Sequence, residues 1–129
     1  MDPEAFRSWL ERYFAAWASN DPDEVAALFA EDAEYSWGPF REPARGRDEI
    51  VRAWVEGGAP SRIRWSVDPI ATSGDRGVAH WTVSFPSDEG TTVELDGILV
   101  CSFDDDDRCT LHREWYERRE TPAAAGPTT

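Results

Sequence analysis

The most constraining stretch of the chain lies near its end: LDGILVCSFDDDDRCTLHREWYE, Leu95 to Glu117. Two apolar-rich runs flank four consecutive aspartates, Asp104 to Asp107, and read as two long strands joined by a solvated turn. The second run sets His112, Glu114 and Tyr116 at alternate positions. Alternate residues of a strand share a face, so an imidazole, a carboxyl and a phenol stand together. Looking into a cavity, that face would be the floor of a site. Parity leaves open whether this set or Leu111, Arg113 and Trp115 turns inward, and hydrophobicity mildly favours the second. Pairing Phe103 with Arg108 across the aspartates places Leu99 opposite His112 and Gly97 opposite Glu114, where the glycine leaves room for a ligand. The same register turns Cys101 and Cys109 to opposite faces, which argues against a disulfide and for two buried thiols in a reducing compartment.

Upstream, Asp2-Pro3 is a helix start, followed by Phe6, Trp9, Leu10, Tyr13, Phe14 and Trp17 as one apolar stripe. Asp21-Pro22-Asp23-Glu24 starts a short second helix with Val25, Leu28 and Phe29 as its buried edge. A strand is expected over Ala33 to Trp37, then a Gly38-Pro39 turn and an irregular arm through Pro43. A third helix follows Gly46, with Ile50, Val51, Trp54 and Val55 on one face and Gly57-Gly58 as its stop. From there the chain is strand: Arg62 to Thr72, bulged at Pro69, then Gly77 to Phe85, Thr92 to Phe103 and Cys109 to Arg118. In the second of these runs Ala79, Trp81, Val83 and Phe85 make an apolar face, which puts His80 on the outer one. Helices first and an antiparallel meander afterwards give an α+β class: three N-terminal helices packed in a strongly curved, mixed but mainly antiparallel sheet that forms a cone-shaped barrel with an apolar pocket. Residues 1–119 are expected to be a single domain, and 120–129, proline- and alanine-rich, a disordered tail.

Composition excludes several functions. A formal net charge of -13 repels phosphate backbones and anionic membranes, so neither nucleic acid nor membrane is an expected partner. The basic residues are all arginine, which removes lysine Schiff-base chemistry. No apolar run has transmembrane length and the N-terminus has no signal-peptide character, so a cytoplasmic location is expected. Neither a metal-ligand cluster nor a nucleotide fingerprint is present, the aspartate run lacks the glycine and distal glutamate of a calcium loop, and no cofactor is expected. Seven tryptophans, six phenylalanines and three tyrosines suit an aromatic-lined cavity, a partner surface or a large-residue core alike.

RYFAAWASND, ALFAEDAEY, PARGRDEI and DGILVCSFDDDDRCTLHREWYE, in this order and spacing, resemble the nuclear-transport-factor-2-like superfamily and within it the SnoaL-like branch, over about residues 6 to 118. The resemblance implies a cone with a deep apolar pocket, a homodimer formed through the outer sheet face, and an inward set of His112, Glu114 and Tyr116. It also places Tyr13 where ketosteroid isomerases carry an oxyanion-binding tyrosine. Trp37 and Leu99 stand where those enzymes carry their two aspartates, so isomerase chemistry of that kind is not expected. Limonene epoxide hydrolases are similar in an inward acid at Glu114, but their arginine has no match and Thr82 stands near their second aspartate.

The expected ligand is a hydrophobic small molecule. The expected catalytic set is Glu114 as general acid/base, His112 as its proton partner and Tyr13 as oxyanion donor, within a wall of Trp17, Phe29, Tyr35, Trp37, Trp54, Trp81, Leu99 and Tyr116. Two readings stay open: a cofactor-independent lyase, isomerase or cyclase acting on a carbonyl-bearing substrate, or a non-catalytic small-molecule-binding or protein-interaction domain. In the second, Glu114 is an ion-pair partner and His112 and Tyr13 are packing residues.

Overall fold

The computed structural model describes residues 1–122. Helix α1 (Pro3–Ser19) starts where the Asp2 carboxylate accepts from the Ala5 amide, and it ends at Asn20, whose left-handed backbone lets its amide reach the Ala16 carbonyl. Of its predicted stripe Phe6, Trp9, Leu10, Tyr13 and Phe14 are buried, and Trp17 is half-buried. Helix α2 (Pro22–Ala26) is capped by Asp21 and is only five residues long. Leu28 lies in the turn after it and Phe29 already belongs to strand β1 (Phe29–Ser36), which begins earlier than the expected Ala33. The irregular arm contains a two-residue strand, β2 (Ala44–Arg45), and helix α3 (Arg47–Gly57) follows.

Four long strands complete the described residues: β3 (Arg64–Ser73), β4 (Arg76–Pro86), β5 (Thr91–Phe103) and β6 (Cys109–Pro122). The sheet order is β2-β1-β6-β5-β4-β3, with β1 parallel to β6 and the other pairs antiparallel. The sheet curls around the helices without being closed by hydrogen bonds between its edges. One face packs against α1 and α3 and holds the core. The other carries His80, whose Nε2 lies 2.7 Å from Asp96 Oδ1. The alternation of β4 is as expected, with Ala79, Trp81 and Val83 buried and Phe85 half-buried. A register shift at Pro69 marks the anticipated bulge. No helix among the described residues is long and apolar enough to cross a membrane.

Three expectations are corrected. Residues 120–122 are not tail: Glu120, Thr121 and Pro122 pair with Val93, Thr92 and Thr91, and the remainder of the expected tail lies outside the described residues. The hairpin register slips by two, so that Leu99 stands opposite Glu114 and Gly97 opposite Tyr116. Its turn holds one residue more than expected, because Phe103 pairs with Cys109 and the Asp104 amide bonds the Arg108 carbonyl. A bulge then passes over Thr110, since Ser102 pairs with Leu111. One extra residue inverts parity, which turns Cys109 to the same inner face as His112 and Glu114. Cys101 and Cys109 therefore point the same way, both fully buried and both free thiols.

Candidate functional site

Strand β6 turns His112 and Glu114 inward, 0% and 6% exposed, and leaves Arg113 and Trp115 outside. The open parity question is thus settled by what covers the strand: α1 lays Tyr13 over it, and the neighbouring parallel strand β1 brings Tyr35 beside His112. These four residues form one cluster. Tyr35 donates to Glu114 Oε1 at 2.7 Å, and the Tyr13 and Tyr35 hydroxyls lie 2.5 Å apart. Tyr13 also reaches the same carboxylate oxygen at 3.5 Å. Since Tyr35 gives its proton to the carboxylate, the short contact is best filled by Tyr13 donating to Tyr35. The chain of donors then runs Tyr13 to Tyr35 to Glu114.

Burial pushes the Glu114 carboxyl up to about 7, against the opposing pull of the two tyrosine hydrogen bonds and of Arg41. Burial, and then the nearby Glu114 charge, hold both tyrosines well above the ordinary phenol value, so each stays a donor. The His112 ring stacks against Tyr35 (centroids 4.0 Å apart) and against Tyr13 (5.2 Å), nearly parallel to both. Neither of its nitrogens has a hydrogen-bond partner among the described residues, and Nδ1 stands 3.6 Å from Glu114 Oε1. Burial lowers its pKa to about 3, so it is a neutral aromatic plate at ordinary pH.

Glu114, Tyr13 and Tyr35 open onto a cavity of about 690 Å³ between the sheet and the helices. That volume suits a drug-sized organic molecule. Of the expected wall, Trp17, Tyr35, Trp37, Trp54, Trp81 and Tyr116 line it. Phe29, Leu99 and His112 do not line it: Phe29 and Leu99 are fully buried in the core behind it, and His112 lies within the aromatic stack. The space expected beside Gly97 is also absent, because the indole of Trp81 and the Cβ of Tyr116 occupy it.

Sequence reasoning did not single out Arg41, nor the segment Gly57–Pro60 after α3, both of which border the cavity. Nor did it give Tyr35 its bond to Glu114. Arg41 follows a Gly38–Arg41 turn, held by the Arg41 amide on the Gly38 carbonyl, which also accepts from the Ser36 hydroxyl. Its Nη1 donates to the Tyr116 hydroxyl at 3.0 Å at the mouth. The usable signal was the alternation Ala33, Tyr35, Trp37, which aims the end of β1, and hence the turn after it, at the cavity rim.

The pattern of three helices inside a curled mixed sheet recurs in a solved LEH-like epoxide hydrolase of M. tuberculosis. The two superpose with a TM-score of 0.67 at 22% identity, over 88% of this chain and 83% of that one. At that identity the likeness is one of fold. None of the curated proteins compared with the chain matches it significantly. The SnoaL-like domain family matches residues 10–112, from within α1 to His112 in β6. With that match and a fold of this kind, the chain belongs to the SnoaL-like domain family, within the nuclear-transport-factor-2-like fold.

Proposed function

We propose that this SnoaL-like domain is a cofactor-independent lyase or isomerase that moves a proton next to the carbonyl of a hydrophobic substrate. The observation that carries the reading is the Glu114 carboxyl, buried at the base of an aromatic cavity with a pKa near 7 and hydrogen-bonded by phenols that cannot take its proton. A carboxyl poised there is both a competent base and a competent acid near neutral pH. The ionised carboxylate takes a proton from the carbon α to the carbonyl, and the C–H electron pair becomes the enolate. Once the carboxyl carries a proton on Oε1, the donor chain can reverse, Glu114 to Tyr35 to Tyr13. The Tyr13 hydroxyl is then free to donate to the enolate oxygen. Return of the proton to another carbon gives isomerisation; loss of a β-substituent gives elimination.

His112 has a different role from the expected proton partner. Neutral, unbonded and stacked against both phenols, it is a positioning residue that fixes their rings. This same feature favours the second reading, a binding domain without turnover, since Glu114 then has no charged relay behind it.

Proton–deuteron exchange at the α-carbon of 2-tetralone, a flat aromatic ketone, separates the two. Followed by NMR in heavy water, wild type should accelerate exchange, with a rate that rises through about pH 7 as Glu114 ionises. Glu114→Gln should lose about 100-fold or more. Ketone binding with no acceleration by wild type supports the binding domain instead.

A further inference from the structure

Among the described residues Arg41 is the one cationic side chain bordering the cavity, and its partner there is a neutral phenol. Of the other twelve arginines, Arg45, Arg108, Arg118 and Arg119 pair with carboxylates, and what sets Arg41 apart is its place on the cavity. A guanidinium at a cavity rim, held by a turn and turned toward a phenol, keeps donors free for an anion. Glu114 and its tyrosines line the same cavity, near enough for the Arg41 charge to act on the carboxyl, and Trp37, Trp54 and Trp81 line the rest of the space. We infer that the substrate is a hydrophobic, flat carboxylic acid, its carboxylate held by Arg41 at the mouth and its carbonyl end at Glu114. Arg41 and Tyr116 are thus specificity residues. This rests on the proposed function above and goes beyond it in naming the class of molecule. Selectivity arises because an ester or amide of the same skeleton fills the aromatic space equally but leaves the guanidinium with only a neutral acceptor.

The test is calorimetric titration of the whole protein with 2-naphthaleneacetic acid and with its methyl ester, at pH 6, where Glu114 is mostly protonated and does not repel the acid. Wild type should bind the acid about five- to tenfold more tightly than the ester. Arg41→Gln should bring that ratio to about one by weakening the acid alone. The ester serves as the control for an intact cavity in the variant. Glu114→Gln should keep the acid preference while losing exchange activity. Equal binding of acid and ester by wild type, an unchanged preference in Arg41→Gln, or no binding of either probe at millimolar concentration would each overturn the assignment. A wild type that exchanges α-protons but shows no acid preference sinks only the carboxylate. An acid preference in a protein whose exchange is indifferent to Glu114→Gln sinks only the base.

Discussion

Glu114 and His112 sit two residues apart on one strand face, and burial moves their proton affinities in opposite directions: the carboxyl up to about 7, the imidazole down to about 3. For Glu114 the native state holds its proton through a range in which the unfolded chain, at the ordinary value of 4.5, has lost it. Stability from this group is therefore full below 4.5 and declines as pH rises toward 7, by on the order of 3 kcal/mol. For His112 the unfolded chain takes a proton below 6.5 that the native core refuses, so stability falls as pH drops. The loss is on the order of 2 kcal/mol at pH 5. Between pH 4.5 and 6.5 the two slopes oppose one another in wild type. Each single variant should expose one slope. Relative to wild type, Glu114→Gln gains stability as pH rises to about 7, and His112→Phe gains as pH falls from about 6.5. Thermal unfolding of the three proteins across pH 4.5 to 8 measures both. A wild-type-minus-variant difference that stays flat with pH would mean that the carboxyl or the ring is not buried as described.

At the scale of elements, the β5–β6 hairpin shows how much strand alternation can carry. That His112, Glu114 and Tyr116 share one face, and the apolar face of β4, were legible, because a two-residue period survives any even register error; that the triplet turns inward came only from the family resemblance. The register itself was not. A turn one residue longer, plus a bulge at Thr110, moved every cross-strand partner from Ser102 back by two and brought Cys109 inward. Neither device has a composition signal in a run of four aspartates. Gly97 records the cost of misreading it. A Cβ there would come within 2.6 Å of the Trp115 carbonyl oxygen and 2.7 Å of the Tyr116 Cβ, with the Trp81 indole at 3.0 Å. Two of these contacts are with backbone or a branch point next to it and cannot yield without moving β6. Gly97→Ala should therefore destabilise by about 2 kcal/mol or more in urea unfolding. It should also weaken ligand binding, since Trp81 and Tyr116 are walls of the cavity. A substitution that leaves both unaffected would show that the strands can separate here at little expense.

On the scale of the whole molecule, the cavity and the surface carry opposite instructions for an anionic ligand. The net charge of -13 sets up a repulsive field around the protein, and the lining offers one arginine at the rim together with a carboxyl that burial keeps about half protonated at pH 7. The surplus of acids was visible in composition. That the cavity escapes it was not, because Arg41 reaches the rim through a turn whose aim depends on the fold of β1. The two fields act over different distances. Global repulsion governs the approach and is screened over about 10 Å at 0.1 M salt, whereas the Arg41 contact governs residence once the carboxylate has arrived. Raising the salt from about 0.02 to about 0.2 M should therefore speed association of 2-naphthaleneacetate, roughly two- to fivefold, and should also speed its dissociation as the ion pair is screened. The uncharged methyl ester should show neither change. Stopped-flow fluorescence at several ionic strengths measures both rates. Association that slows with salt would mean that the rim arginine attracts the ligand from a distance, and that the acidic surface does not govern entry.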